Sequence, residues 1–198
     1  MIFTGTAHVH VATLALASLF MVAAGAAQIE GHHYDERIRL SDTELVLNGV
    51  GVRAVLWLKG YTAALYMTEK AATPGRVLAV KGPKRVQMRL LLAVEAKEFI
   101  KAFSKGIRRN VSESELAALN DRMQQFNNIL SMVGSFNKGD IANLDFIPEL
   151  GLVLTVNGKA RGDPIPGEDL YAALLKIFVG ERPVDQRLKT GLLGAVPG

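Results

Sequence analysis

The chain contains no cysteine, and its histidines are His8, His10, His32 and His33. Thiol nucleophiles, disulfides and cysteine-based metal sites are thereby excluded. His32 and His33 are neighbours, and adjacent side chains on an extended segment point to opposite faces. They make a poor metal pair, so neither a metal site nor a cofactor is expected. Chemistry falls instead to arginine, lysine, tyrosine and the carboxylates. One arginine stands out: Arg53, in Asn48-Gly49-Val50-Gly51-Val52-Arg53, ahead of Ala54-Val55-Leu56-Trp57-Leu58-Lys59-Gly60-Tyr61-Thr62-Ala63-Ala64-Leu65-Tyr66. Arginine holds carboxylates and oxyanions through a rigid fork of donors. A fixed positive charge beside a run apolar enough to be core is what a site for an amphipathic anion requires. Tyr61 and Tyr66 add hydroxyls on the same run.

The glycines offer a competing reading. Gly49 to Ala54 matches the G-x-G-x-x-A dinucleotide fingerprint, and Glu69 follows about 20 residues on. That fingerprint needs a helix to start at the glycines. Here the following residues favour strand and Gly60 interrupts them, so a dinucleotide site is not expected.

Composition sets the wider limits. The chain has 198 residues, 49% hydrophobic and 21% charged, which fits one folded domain rather than a disordered chain. A net charge of +4, evenly spread, does not suggest a nucleic-acid partner. No repeat at solenoid periods is present.

The N-terminus has the pattern of an export signal. No charged side chain precedes Glu30, Val11 to Ala24 is apolar, and Ala23-Ala24-Gly25-Ala26-Ala27 supplies small residues for cleavage. A signal peptide is expected over 1–27, with cleavage near Ala27–Gln28 and a domain over 28–198. The usual positive n-region is missing. The alternative is a membrane-spanning helix, but the apolar run is shorter than the roughly 20 residues a span needs. The expected product is exported, periplasmic or secreted, with membrane contact only through this segment.

Strands are expected at Glu44–Leu47 and Arg53–Leu58, with a turn or bulge at Gly49 and Gly51. Further strands are expected at Tyr61–Thr68, Arg76–Val80 and Lys84–Leu92. Phe99, Ile100, Phe103 and Ile107 recur at helical spacing. Ser112-Glu113-Ser114-Glu115 reads as a capping box opening a second helix. Leu116, Leu119, Met123, Phe126, Leu130 and Val133 place one apolar stripe along that helix. Strands return at Asp140–Ile147 and Leu152–Val156, and Asn157-Gly158 is a strong hairpin signal. Asp163-Pro164-Ile165-Pro166 reads as a linker. Gly167–Gly180 is a helix burying Leu170, Leu174 and Ile177, and Val184–Leu193 a short last one. The order implies an α+β fold, with helices on one face of a large antiparallel sheet.

Gly49-x-Gly51-x-Arg53, the apolar strand after it and Lys59 to Tyr66 together resemble the bacterial branch of the chalcone isomerase-like family. So does the run Ala172 to Asp185, with Leu188-Lys189 and Leu192-Leu193-Gly194 after it. The resemblance spans roughly the whole mature chain. It implies an open-faced β-sandwich with a ligand cleft between the sheet and its helices. The family holds plant enzymes that close chalcones to flavanones, plastid fatty-acid-binding proteins and a non-catalytic enhancer group. By motif position, Arg53 matches the arginine that reaches into the cleft in enzymes and fatty-acid binders. Tyr61 falls where the enzymes carry a threonine. Three enzyme positions have lost polarity: a tyrosine is matched by Phe99, an asparagine by Gly106, and a threonine or serine by Ile177.

A more apolar cleft suits an acyl chain better than a polyhydroxylated chalcone, whose unpaired hydroxyls would be costly to bury. The reading that follows is a non-catalytic binder of a fatty acid or similar small apolar anion. Its expected ligand-binding residues are Arg53, Tyr61, Tyr66, Phe99, Phe103 and Ile177. Two alternatives stand beside it. One is an isomerase of the intramolecular-lyase type, with Arg53 and Tyr61 supporting a developing enolate. The other is an envelope scaffold protein with a vestigial cleft.

Overall fold

The computed structural model describes residues 27–195. The expected signal segment therefore lies, except for Ala27, outside the described residues. Seven antiparallel strands form the main sheet. They are β3 (Arg37–Leu40), β4 (Thr43–Val55), β5 (Leu58–Met67), β6 (Lys84–Leu90), β9 (Ile141–Ile147), β10 (Gly151–Val156) and β11 (Lys159–Ile165). Their spatial order is β11-β10-β9-β6-β5-β4-β3. Two small ribbons flank it: β1 (Ala27–Ile29) with β2 (His32–Tyr34), and β7 (Val94–Glu95) with β8 (Ser135–Phe136).

Helices α2 (Ala96–Asn110), α3 (Glu113–Val133) and α4 (Glu168–Val179) pack together over one face. Strand parity decides which residues meet them. On β5 the odd residues Tyr61, Ala63, Leu65 and Met67 join the main core, with Val86, Met88 and Leu90 of β6. The even residues Ala64 and Tyr66 point the other way, into a smaller cluster with Tyr34, Leu45 and Leu47. This is the expected open-faced α+β arrangement.

Local chemistry explains the helices. Ser112 and Glu115 form the reciprocal capping box at the start of α3. Leu119, Met123, Phe126 and Leu130 of α3 are buried as the stripe requires, while Leu116 and Val133 are partly buried. Helix α4 is buried on nearly every side, which fits its place between α2, α3 and the sheet. Asn157 and Gly158 close the β10–β11 hairpin with φ of 51° and 76°.

Four expectations are corrected. Arg76–Val80 is not a strand: Thr73 caps and Pro74 opens the helix α1 (Pro74–Ala79). Asp163–Ile165 is not a linker but the end of β11, and Pro164 is tolerated there because β11 is an edge strand. Thr43–Val55 is one continuous strand, with a register shift between Leu47 and Gly49. Arg53–Leu58 is not one strand: Arg53–Val55 ends β4, Leu58 begins β5, and Leu56 and Trp57 form the exposed turn between them.

Candidate functional site

The glycines before Arg53 serve a close approach between a strand and a helix. A Cβ at Gly49 would lie 2.1 Å from the Gly191 carbonyl oxygen, and one at Gly51 would lie 2.7 Å from that of Leu188. Both contacts are with the backbone of α5 (Gln186–Leu192), which lies directly on β4. Only a strand without side chains at these positions admits it. Asn48, at the register shift, fixes the same contact. Its Nδ2 donates to the carbonyls of Leu192 (2.7 Å) and Ala71 (3.0 Å), and its Oδ1 accepts from the Ala71 amide at 2.7 Å. The fingerprint glycines therefore sit mid-strand, not at a helix start.

The other end of α5 holds the strand just beyond Arg53. Asp185 caps α5 by accepting from the amides of Arg187 and Leu188, and its second oxygen accepts from the Ala54 amide at 3.2 Å. The approach to Asp185 is pinned to α2. Asn110 donates to the carbonyls of Gly106 and Arg182 and accepts from the Arg182 amide. The segment Gly180 to Asp185 thus has a positioning role that its sequence does not announce.

Arg53 lies on the helix-facing side of β4, opposite Tyr61 of β5 in the ladder. Its guanidinium carbon is 5.8 Å from the centroid of the Tyr61 ring. Arg53 is half-buried, its Nε is buried without a hydrogen-bond partner, and it makes no ion pair among the described residues. Tyr61 is 7% exposed. Burial pushes its hydroxyl far above the ordinary phenol range, and Asp185 adds to the rise while the Arg53 charge opposes it. The phenol is therefore a hydrogen-bond donor, not a phenolate base.

These two residues face a cavity of about 310 Å³ between the sheet and the helices, at the lower end of the range for small-molecule sites. Arg53, Glu98, Lys101 and Lys105 are the charged residues in its wall, and the rest are apolar, glycine or Tyr61. Phe99 and Phe103 of α2 and Ile177 of α4 line it as well. Phe99 stacks at a tilt on Phe136 and Phe103 on Phe126, with centroids 4.7 and 4.8 Å apart.

Tyr66 is the exception. It is an odd number of residues from Tyr61, so it lies on the opposite sheet face and does not reach the cavity. Gly106 is not in the wall either. A Cβ there would come within 2.8 Å of Ile177, so the glycine lets α2 pack against α4. His32 and His33 lie on β2, away from the cavity wall.

Sequence reasoning missed several wall residues. Met88 and Leu144 were legible only as alternating sheet positions, and Phe126 and Leu130 only as a core stripe. Val94 and Phe136 come from the short β7–β8 ribbon, which has no strong strand signal.

A profile of the chalcone isomerase-like family matches residues 26–194. Among solved structures, the chain is similar to the crystal structure of a fatty-acid binding protein from Arabidopsis thaliana, with a TM-score of 0.66 and 14% identity. The match covers 85% of this chain and 96% of that one. No curated protein sequence matches the chain. The match over nearly the whole described chain, on a seven-stranded sheet roofed by helices over an arginine-walled cavity, places the protein in the chalcone isomerase-like family.

Proposed function

We propose that this protein is a non-catalytic binder of a fatty acid or a similar small apolar anion. The observation that carries the reading is the Arg53 guanidinium, without a carboxylate partner among the described residues, in the wall of an otherwise mainly apolar cavity. Leaving a half-buried cation unpaired costs free energy unless a ligand supplies the counter-charge. In this reading a carboxylate meets Arg53, the Tyr61 hydroxyl donates to it, and the tail runs past Phe99, Phe103 and Ile177. A charge-assisted hydrogen bond contributes about 1.5–3 kcal/mol, and each buried methylene about 0.8 kcal/mol. The tail supplies most of the affinity and Arg53 sets its direction. The Arabidopsis structural relative, a fatty-acid binding protein, supports the same ligand class.

An isomerase would need groups to orient a polyphenol and hold water, and Phe99 and Ile177 offer none. Native mass spectrometry after gentle purification tests the binder reading. A co-purifying acyl anion, lost in Arg53→Ala, is the expected result. Chalcone cyclisation followed by absorbance, well above the spontaneous rate, would overturn it in favour of the isomerase. An empty protein that takes up no added fatty acid would favour a scaffold role. We also propose that the chain is exported, on the strength of the small-residue run Ala23 to Ala27 after an apolar stretch. N-terminal sequencing of the protein from its native host tests this, with cleavage near Ala27–Gln28 expected.

A further inference from the structure

The β4–β5 hairpin ends in four consecutive exposed apolar residues. Val55 is 57%, Leu56 80%, Trp57 85% and Leu58 54% exposed. Val55 pairs with Leu58, so Leu56 and Trp57 form a two-residue turn. Leu56 has a φ of 56°, a conformation that suits glycine or asparagine better than leucine. The same chain closes its β10–β11 hairpin with Asn157-Gly158, the choice that stability favours. An apolar tip is thus unfavourable both for its backbone and for its exposure to water, and no described residue covers it. Contiguous exposed apolar surface of this kind marks an interaction site.

Charge identifies the occupant. The tip begins two residues beyond Arg53, within about 7 Å along the strand, at the edge of the cavity. Lys101 and Lys105 of α2 also line the cavity, are exposed and lie one helical turn apart, and exposed Arg108 extends that face. None of the three makes an ion pair among the described residues. Glu98 is the one carboxylate in the cavity wall. We propose that the Val55–Leu58 tip enters the headgroup boundary of an anionic lipid surface, with Lys101, Lys105 and Arg108 against the headgroups. The cavity mouth then opens onto the bilayer. A tryptophan in a small apolar cluster, flanked by lysines, is the chemistry of a membrane interface. A second copy of this chain would set one basic face against another. The N-terminal segment has no acidic residue before Glu30 to complement that face. The proposal stands on the tip and the rim, whichever anion the cavity holds.

Trp57 is the one tryptophan of the chain, so intrinsic emission reports on the tip alone. The full chain is titrated with phosphatidylcholine vesicles, with and without phosphatidylglycerol. Lys59, two residues beyond Trp57, is ion-paired with Glu30 between β1 and β2, so the tip variant and not the parent's shift alone separates tip insertion from vesicle contact through the N-terminus. The expected result is a blue shift and quenching by brominated acyl chains, stronger with phosphatidylglycerol. Val55→Ser/Leu56→Ser weakens the apparent affinity about ten-fold or more. Lys101→Glu/Lys105→Glu abolishes the preference for phosphatidylglycerol. All four positions are exposed, and unchanged thermal melts verify folding. Emission that stays that of a water-exposed indole overturns the proposal. So does an equal response from the serine variant, or a concentration-dependent blue shift without lipid, which would assign the tip to a second copy.

Discussion

Arg53 and Tyr61 are ladder partners across β4 and β5, and the guanidinium sits 5.8 Å from the tyrosine ring on the cavity side of the sheet. The pair joins a fixed cation to a phenol that burial keeps protonated. In the proposed binding mode both donate to one carboxylate. Tyr61→Phe should therefore weaken fatty-acid binding about 10-fold or more, the loss of a hydrogen bond to a carboxylate of about 1.5–3 kcal/mol. Because the Tyr61 hydroxyl is raised far above its ordinary range, that ratio should be the same at pH 7 and at pH 10. Calorimetric titration at the two pH values checks it. A ratio that collapses toward one at pH 10 would mean that Tyr61 titrates in its ordinary range.

Gly51 holds the site indirectly. Its α-carbon faces the α5 backbone, and an added Cβ would lie 2.7 Å from the Leu188 carbonyl oxygen and 3.0 Å from its Cα, backbone atoms that cannot rotate aside. Gly51→Ala should lower stability by about 1–3 kcal/mol, as overpacking does, and loosen α5 together with Asp185. Chemical denaturation measures the first effect. Faster amide exchange at Ala54, whose N–H Asp185 accepts, reports the second.

Gly106 and Ile177 fill one space between α2 and α4. Gly106→Asn alone should destabilise by about 1–3 kcal/mol through its clash with Ile177. Ile177→Ala opens a gap and costs about 2–5 kcal/mol. The double variant should be more stable than the sum of the two losses implies, and a double-mutant cycle measures that coupling.

Much of the fold was legible because its signals are local. The capping box Ser112–Glu115 and the turn Asn157-Gly158 each specify their backbone within four residues. The errors arose where tertiary context decides. Pro164 reads as a strand breaker unless β11 is known to be an edge, and Pro74 opens a helix only because Thr73 caps it. Arg53, Tyr61, Phe99, Phe103 and Ile177 were legible as candidates and meet at one cavity. Tyr66 was not separable from Tyr61 by residue type, and only its parity along β5 removes it. Val55 to Leu58 was legible as apolar but not as exposed, since hydropathy does not report which side of a turn faces water.

Asp169 at the start of α4 is bound through both oxygens by Arg122 of α3, with Nη2 to Oδ2 at 2.6 Å. Hydrogen bonds from Arg122 hold its carboxyl below the usual range, against the opposing effect of burial. The folded state thus takes up the proton less readily than the unfolded chain. The contribution is complete above about pH 4 and is lost as pH falls through the lower folded value. The Asp169 side chain is 57% exposed, so the pair contributes no more than about 1 kcal/mol. Asp169→Asn should be slightly less stable at pH 7 and should lose less stability than the parent between pH 5 and pH 2. Denaturant midpoints across that range check it.

The central claim is that Arg53 recognises the charge of an otherwise apolar ligand. It is tested most directly by titrating the protein and Arg53→Ala with a long-chain fatty acid and with the alcohol of the same chain length. The parent protein should bind the acid about 10- to 100-fold more tightly than the alcohol, corresponding to about 1.5–3 kcal/mol. Arg53→Ala should lose most of that preference. Equal binding of acid and alcohol by the parent, or a preference for the acid that survives undiminished in Arg53→Ala, would contradict the account.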